Sequence, residues 1–402
     1  MPTMNSRGFS QFILLLMGLA LLAGCSADID PASQASRSDA VAPDPGTDKA
    51  MVEGSFGTGS TYRLICPEDW NGDLVIYAHG YAFPETEPAL PDEDDPGFVV
   101  LRDAIVDMGY GMAFSSYSET GWALQKAVIE SRQLRGLFTA EYGRPDRTFL
   151  MGLSMGGAIV TNMAEKNPSL YDGVMQMCGV VGGTDMAAEY VYNVRLLFDC
   201  YYPGVLPGTA FDIPDDLHWT TVQYLAFMAL MENPMPAFEM AGVDPLNIQY
   251  ASPEELVEAI LWGLIFHTVA GEDFIDRTHG HNFFDNTEVW YSGSSDDEAL
   301  NACVVRRAAT PDALNYMRRW YEPTGKLKIP AVSIHTTRDM VVQIFHEYDY
   351  LAKVQAAGYE DNLVQHYIDR FGHCTFTLEE MLAAFTELTA MAEVTEPMKI
   401  RP

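Results

Sequence analysis

Ser154 is the residue whose type and surroundings most directly indicate chemistry in this sequence. It is the central residue of Gly152-Leu-Ser-Met-Gly156, a G-x-S-x-G sequence. An apolar run at 149–151 predicts a buried strand before it, and residues 158–166 predict a helix after it. So sharp a turn needs small neighbours and holds the serine hydroxyl at the tip of the strand, beside the N–H groups of the helix. Ser154 is therefore a candidate nucleophile, and the alternative is a glycine-rich turn without chemistry.

Two later segments supply the groups that a serine nucleophile needs. A serine hydroxyl is almost wholly protonated at neutral pH, so it requires a neighbouring base, and that base requires a carboxylate to fix its tautomer. Asp339 follows a strand predicted at 327–335, and His373 follows the last strand, predicted at 363–369. Because the carboxyl ends of parallel strands lie at one edge of a sheet, we expect both residues to converge on Ser154.

Each of these residues also has a structural alternative. His373 could be an ordinary loop histidine, and Asp339 could cap a helix. Asp369 is the rival acid, but its position within the predicted strand aims it poorly. His279 and His281 have a metal-like spacing without evident acidic or cysteine partners, so we interpret them as part of a loop and predict no metal site.

The chain order of the predicted elements favours an α/β fold. Strands alternate with helices of ten to twenty residues, which predicts a mostly parallel sheet with helices on both faces. The segment from Gly183 to about residue 321 breaks this alternation, because it is rich in aromatic and methionine residues at helical spacing. We predict a large helical cap inserted over the carboxyl edge of the sheet, with an independent second domain as the alternative. Strands are predicted at 54–66 (a hairpin), 74–78, 110–116, 149–151, 171–181, 327–335 and 363–369, and helices outside the cap at 98–108, 121–142, 158–166 and 378–391.

The composition describes a globular protein and argues against one class of partner. The chain has 402 residues, of which 48% are hydrophobic, enough for a sizeable core. Its 56 acidic residues against 24 basic ones give a net charge of −32. This charge argues against nucleic acid as a partner and against adhesion to anionic lipid by charge. We attribute it to a salt-adapted or solubility-driven surface.

The order serine, aspartate, histidine is the order that α/β-hydrolases show. On these residues the chain resembles a serine esterase of the α/β-hydrolase superfamily, of a secreted bacterial type, from about Ser55 to Met391. The resemblance implies that Ser154 is the nucleophile, that Asp339 is the orienting acid and that His373 is the general base and then the acid.

The same resemblance implies an oxyanion hole made of backbone N–H groups, which would stabilise negative charge on the reacting oxygen. It maps onto Met155, directly after the nucleophile, and Tyr81, directly after His79-Gly80. We interpret His79 as a structural residue that holds this turn. The aromatic side chains of Phe83 and Trp122 lie near the same sheet edge in this interpretation, and we expect them to line a substrate pocket, with core packing as the alternative.

The cysteines permit a limited set of disulfides. Without Cys25, which belongs to the N-terminal signal, five remain, so an oxidising compartment allows at most two disulfides and one free thiol. In tannase-like and feruloyl-esterase-like relatives, the cysteine after the catalytic histidine pairs with one directly before the nucleophile. This chain has Cys374 but Leu153, so that pairing cannot form. The five cysteines are Cys66, Cys178, Cys200, Cys303 and Cys374.

The N-terminus predicts export. Arg7 precedes an apolar run at 12–22 that is too short for a spanning helix and is typical of a signal peptide. The sequence Leu22-Ala-Gly-Cys25 resembles a bacterial lipobox, which implies that Cys25 is lipidated and anchors the protein in a membrane. Ser26 implies the outer membrane or cell surface, and a soluble periplasmic or secreted protein is the alternative. Residues 27–49 predict a flexible tether.

These patterns together predict a carboxylic-ester hydrolase that acts through an acyl-serine intermediate on a small-molecule or polymeric ester, without metal or organic cofactor. One alternative is a serine peptidase similar to prolyl-oligopeptidase, which would need a charged anchor such as Arg306-Arg307 or Arg318-Arg319. Another is a non-catalytic surface lipoprotein that serves as a binding module. The predicted organisation is a signal peptide at 1–24, a tether at 25–50, a hydrolase core at 51–182 and 322–392, a cap at 183–321 and a tail at 393–402.

Overall fold

One eight-stranded sheet organises the computed structural model, which describes residues 49–57, 59–84, 86–320 and 322–395. The strand order is β1-β2-β4-β3-β5-β6-β7-β8. β2 pairs antiparallel with both β1 and β4, and all other neighbours are parallel. The strands are β1 (Lys49–Ser55), β2 (Thr61–Pro67), β3 (Asp73–Ala78), β4 (Gly111–Ser115), β5 (Arg147–Leu153), β6 (Gly173–Met177), β7 (Ala331–Arg338) and β8 (Leu363–Phe371).

Helices cover both faces of this sheet, because its central strands are apolar on both sides. Val75 and Met151 face a core formed with α2 and α12, whereas Ile76 and Leu150 face a core formed with α3 and α4. The predicted α/β fold, with a mostly parallel sheet and helices on both faces, is confirmed. The helices outside the β6–β7 connection are α1 (Pro91–Asp94), α2 (Pro96–Asp107), α3 (Leu124–Tyr142), α4 (Met155–Lys166), α11 (Phe345–Ala357) and α12 (Leu378–Thr395), with a 3₁₀ turn at Glu360–Asn362.

Six helices of the described residues lie between β6 and β7, where the sequence predicts the cap. The longest, α8, has 25 residues and ends at Arg277. The domain limits drawn from the sequence stay predictions. The helices are α5 (Thr184–Tyr201), α6 (Trp219–Glu232), α7 (Met235–Ala241), α8 (Pro253–Arg277), α9 (Asp297–Cys303) and α10 (Pro311–Trp320).

Several strand and helix limits differ from the predicted ones for local reasons. β6 ends at Met177 because Cys178 has a positive φ of 44°. β7 begins at Ala331, directly after Pro330, which has no N–H to donate to a ladder. Between the strand predicted at 74–78 and the helix predicted at 98–108 lies an additional short helix, α1, which begins with Pro91 in the first helical turn.

The predicted signal peptide, Cys25 and most of the tether lie outside the described residues. Among the residues that the structure does describe, none of the helices is both long and apolar enough to cross a membrane.

Candidate active site

The turn between β5 and α4 holds Ser154 in an unusual backbone conformation. Its φ is 57° and its ψ is −120°, a region that non-glycine residues seldom adopt and that costs conformational energy. Two glycines let the neighbouring segments approach: a Cβ on Gly152 would lie 2.2 Å from the carbonyl oxygen of Gly156. One on Gly156 would lie 2.0 Å from the carbonyl oxygen of Ala78. The G-x-S-x-G sequence therefore forms the sharp strand–helix turn that its spacing predicts.

The structure brings Ser154, His373 and Asp339 into one hydrogen-bonded series. His373 Nε2 lies 2.9 Å from Ser154 Oγ, and His373 Nδ1 lies 2.8 and 3.0 Å from the two carboxylate oxygens of Asp339. Because a carboxylate only accepts, Nδ1 carries the hydrogen, and the Nε2 lone pair faces the serine hydroxyl. In this tautomer His373 can take a proton from Ser154.

Asp339 is held rigidly at the end of β7. Its side chain is fully buried, and Oδ1 accepts hydrogen bonds from the backbone N–H groups of Val341 at 2.8 Å and Val342 at 2.9 Å. The rival acid Asp369 instead has a side chain that is 86% exposed and that pairs with Arg338. The strand position of Asp369 thus aims it away from His373, in agreement with the sequence interpretation.

The loop that carries His373 is fixed by a disulfide that the sequence did not reveal. Cys374 is bonded to Cys178, the residue after β6. Thr336 Oγ1 donates to the Gly372 carbonyl at 2.6 Å, which ties the loop to β7 as well. Cys374 Sγ lies 3.4 Å from His373 Nε2, but the two sulfurs are bonded to each other and offer no thiolate to a metal.

The remaining cysteines form one further disulfide and one free thiol. Cys200 pairs with Cys303, and Cys66 is a buried free thiol. The expectation of at most two disulfides and one free thiol agrees with this arrangement. Since the partners are 103 and 196 residues apart, no local spacing could have indicated them.

The segment after β3 lies against the nucleophile, where the oxyanion hole is expected. A Cβ on Gly80 would be 3.3 Å from Ser154 Cβ, so the two backbones nearly touch. The ring of His79 stacks on Tyr117 at 3.9 Å, and the Tyr117 hydroxyl donates to the His79 carbonyl. Met155 is the first residue of α4, where backbone N–H groups have no partner within the helix. His79 thus supports the turn, as its sequence interpretation says.

Tyr81 is the centre of an aromatic group that also includes Phe83, Trp122 and Phe266. Its ring centre lies about 6 Å from each of theirs (6.1, 6.1 and 5.7 Å). Burial and, second, the Asp273 carboxylate raise the pKa of the Tyr81 phenol, which therefore stays neutral.

The two predicted pocket residues differ in their surroundings. Phe83 lines a cavity of about 230 Å³ together with Trp219. Trp122 is only 6% exposed, and its indole N–H donates to Thr184 Oγ1 at 2.9 Å. The environment of Trp122 is that of the core-packing alternative, whereas Phe83 adjoins open space.

A second cavity, which the sequence did not indicate, lies beside Asp339. Its volume is about 380 Å³, and apolar side chains from α5, the 245–249 loop and α11 surround it. These residues are separated in sequence, so only the folded chain brings them together. The apolar side chains that line it are those of Tyr190, Pro245, Ile248, Ile344, Phe345 and Tyr348.

The structure also locates the remaining histidine pair. His279 follows α8 with a φ of 59°, and its ring packs edge-on against Tyr316. Within the described ranges, the only cluster of three close potential metal ligands is the one at the Cys178–Cys374 disulfide. The interpretation of His279 and His281 as loop residues agrees with this position.

Comparisons with known proteins give structural likenesses only. A scan against protein families finds no match, and neither does a search of curated proteins. An esterase of Pyrococcus furiosus is 11% identical with a TM-score of 0.44, over 86% of this chain and 91% of its own. Est1E of Butyrivibrio proteoclasticus is 11% identical with a TM-score of 0.41, over 87% of this chain and 100% of its own. A proline iminopeptidase of Mycobacterium smegmatis is 12% identical with a TM-score of 0.45, over 86% of this chain and 100% of its own.

Proposed function

We propose that this protein is a serine hydrolase that cleaves carboxylic esters. The observation that supports this most is the series from Ser154 Oγ through His373 to Asp339, with contacts of 2.9 and 2.8 Å. A serine hydroxyl with a neutral imidazole at this distance can be deprotonated as it attacks a carbonyl carbon. A buried carboxylate at the other ring nitrogen stabilises the imidazolium that forms.

The chemistry has two halves. Ser154 Oγ bonds to the ester carbonyl carbon while His373 Nε2 takes its proton, and the resulting tetrahedral intermediate expels the alcohol, which leaves with that proton. Water then attacks the acyl-serine with His373 again as the base, and the acid product and the free serine are released. This sequence needs no metal ion and no organic cofactor.

Backbone N–H groups of Met155 and Tyr81 are the proposed donors to the oxygen that becomes negative. Their support is the close approach of Gly80 to Ser154 and the position of Met155 at the helix N-terminus. Removing one such donor in a serine hydrolase costs on the order of 10²–10³ in kcat.

Neutral substrates with an apolar or aromatic group fit the surroundings best. Aromatic and aliphatic side chains form about half of the lining of the cavity beside Asp339, and the net charge of −32 opposes an anionic substrate. We propose this cavity and the space next to Phe83 as the sites for the two ends of the ester.

The peptidase alternative has less support because three of its four candidate charged anchors, Arg306, Arg307 and Arg319, are engaged elsewhere. Arg306 donates to the carbonyls of Asn286 and Val289 at 2.8 and 2.6 Å. The guanidinium of Arg307 lies over the ring of Phe211, and that of Arg319 over the ring of Trp320. These contacts give the three arginines structural roles in the segment between β6 and β7.

Fluorophosphonate labelling of the purified full-length protein tests the nucleophile. Wild type, Ser154→Ala and Ser131→Ala, a control at a buried serine of α3, are compared on p-nitrophenyl esters and peptide anilides. We expect Ser154→Ala to lose both labelling and turnover and Ser131→Ala to keep both, with esters preferred over anilides. Wild-type protein that is folded but neither labels nor turns over esters would contradict the proposal and favour a binding module.

We further propose that Cys25 carries a lipid that anchors the protein, on the strength of the Leu22-Ala-Gly-Cys25 sequence alone. Replacing Cys25 by Ser should move the protein from the membrane fraction to the soluble fraction. Retention of Cys25→Ser in the membrane fraction would refute the anchor.

A further inference from the structure

A second histidine lies directly behind the proposed catalytic acid. His335 is on β7, four residues before Asp339, and it is fully buried. Its Nε2 atom lies 3.6 Å from Asp339 Oδ2 and 2.8 Å from the Val342 carbonyl oxygen. The Asp339 carboxylate is therefore placed between two imidazole rings, that of His373 toward the substrate side and that of His335 toward the interior.

The hydrogen-bond partners of His335 indicate that both of its ring nitrogens carry a hydrogen. The Val342 carbonyl can only accept, so Nε2 is a donor. Nδ1 lies 3.1 Å from Glu347 Oε1, which also accepts from the Ser333 hydroxyl at 2.7 Å. The other carboxylate oxygen of Glu347 accepts from Gln365 Nε2 at 2.7 Å. With Glu347 accepting three hydrogen bonds and the Val342 carbonyl a fourth, both ring nitrogens of His335 donate, which is the arrangement of an imidazolium.

The charged groups around His335 support this protonation state. Burial opposes the charge, but the hydrogen bond and charge of Glu347, followed by the charge of Asp339, raise the pKa of His335 above its ordinary value. On α11, the neighbouring His346 is neutral, because its Nδ1 accepts the Gly182 N–H and burial lowers its pKa to about 3. A buried ion pair of this kind is stable only when hydrogen bonds satisfy both partners, as they do here.

We propose that His335 is a positioning residue: an imidazolium, paired with Glu347, that places a positive charge behind the Asp339 carboxylate and fixes the Asp339–Val342 turn. This inference rests on the proposed function. Both backbone polar groups of Val342, at the end of this turn, are held: Asp339 Oδ1 accepts from its N–H, and His335 Nε2 donates to its carbonyl oxygen.

The charge of His335 also affects the proposed base. A positive charge behind the carboxylate weakens the attraction of Asp339 for a proton on His373. Loss of the His335 charge should therefore change how the reaction rate depends on pH.

His335→Gln tests the proposal because glutamine keeps a donor for the Val342 carbonyl and removes the charge. The matched control is His267→Gln. His267, on α8, is equally buried, and its Nε2 makes the same kind of contact, 3.0 Å from the Ala210 carbonyl oxygen. We expect His335→Gln to lower kcat about tenfold or more, with KM changed less than about twofold, and to move the acid limb of kcat/KM to higher pH. His267→Gln should lower thermal stability only.

A second variant keeps the test decisive if the unpaired Glu347 prevents folding. His335→Gln/Glu347→Gln removes both buried charges and should show the same shift of the acid limb. An acid limb and kcat equal to those of wild type in either folded variant would overturn the proposal.

The protonation state can also be measured without any substitution. In ¹⁵N-histidine-labelled wild type at pH 8, we expect one ring with both nitrogens protonated, and the absence of such a ring would overturn the inference. This readout separates the two proposals. Protein that does not label with fluorophosphonate but shows the imidazolium refutes the function alone. Active protein without the imidazolium refutes only the role of His335.

Discussion

Two buried polar clusters in this molecule use similar side chains with different results. The first, which we call the sheet cluster, joins two strands to the helix between them. It consists of Ser333 and His335 on β7, Asp339 directly after β7, Glu347 in the first turn of α11 and Gln365 on β8. Through Asp339 it continues to His373 and then to Ser154, whose side chains reach the edge of the sheet.

The helical cluster, made of Asn193, Asn286 and Tyr291, ends within the protein. Tyr291 donates its hydroxyl to Asn193 Oδ1 at 2.6 Å and accepts from Asn286 Nδ2 at 3.1 Å. Asn286 also donates to the Val305 carbonyl and accepts the Arg307 N–H. Polar groups buried in this way hold a fold together, whereas a cluster that continues to a candidate nucleophile at the edge of the sheet can also move protons. Burial of polar groups therefore does not by itself mark a site.

Asp339→Asn should show the difference between the two clusters most clearly, as a loss of kcat without a loss of folding. An amide beside Nδ1 favours the tautomer with its hydrogen on Nε2, which then cannot accept the Ser154 proton. We expect kcat to fall by on the order of 10⁴ while the protein stays folded. Steady-state kinetics and circular dichroism check this, and a variant within tenfold of wild type would contradict the role of Asp339.

The two disulfides allow a matched comparison of the same regions. Replacing either pair by serine should lower the free energy of unfolding by about 2–5 kcal/mol, because both close long loops. Only Cys178→Ser/Cys374→Ser should also lower kcat, since Cys374 follows His373, whereas Cys200→Ser/Cys303→Ser should not. Kinetics below both melting temperatures and thermal unfolding check this. Equal losses of kcat in both variants would remove the distinction between the regions.

Tyr291→Phe probes the helical cluster alone. It removes one hydroxyl and leaves the Asn193 carbonyl oxygen and an Asn286 N–H without that partner, which should cost about 1–3 kcal/mol. Urea unfolding measures the loss, and kcat per folded molecule should equal that of wild type. A lower kcat at unchanged stability would connect this cluster to catalysis.

Glu322, between α10 and β7, should affect the pH dependence of stability without an effect on activity. Glu322 accepts the Asp185 N–H at 2.9 Å, and burial together with the Asp185 carboxylate raises its pKa to about 8 from an ordinary value of 4.5. The folded chain keeps this proton to higher pH than the unfolded chain does, so stability falls as pH rises from about 4.5 to about 8.

Glu322→Gln should remove this component of the pH dependence and leave activity unchanged. Thermal melts of both proteins at pH 5 and pH 9 measure it, and we expect the variant to lose less stability between the two. Identical losses would show that Glu322 is ionised in the folded protein throughout.

The sheet and the positions of Ser154, Asp339 and His373 at its edge were predictable from the sequence, because buried parallel strands have a strong local pattern. Buried runs such as 74–78 and 149–151 gave strand positions within a few residues, and Asp339 and His373 were found as polar residues that directly follow strands. Their convergence then follows from the common direction of the strands.

The supporting contacts were not predictable because they join residues far apart in the chain. Nothing near Cys178 indicates Cys374, and Glu347 resembles any other acid on a helix. The sequence around His335 did contain an indication: Ser333 and His335 are polar and lie on either side of Ile334 in a buried stretch of β7, so they share one face of the strand. A polar pair in a strand that should be buried needs partners, and this pattern could have directed attention to a buried acid.

The distance along the chain between Ser154 and His373 has a consequence for biosynthesis. The two residues are 219 positions apart, and the strand that precedes His373, β8, lies at the edge of the sheet and pairs only with β7. As the chain is made, Ser154 emerges long before the groups that we propose activate it. A translation product that stops short of β8, or one trimmed there by a protease, would carry an inert serine. Hydrolytic activity would then report that synthesis has run through β8 and that this last strand has docked.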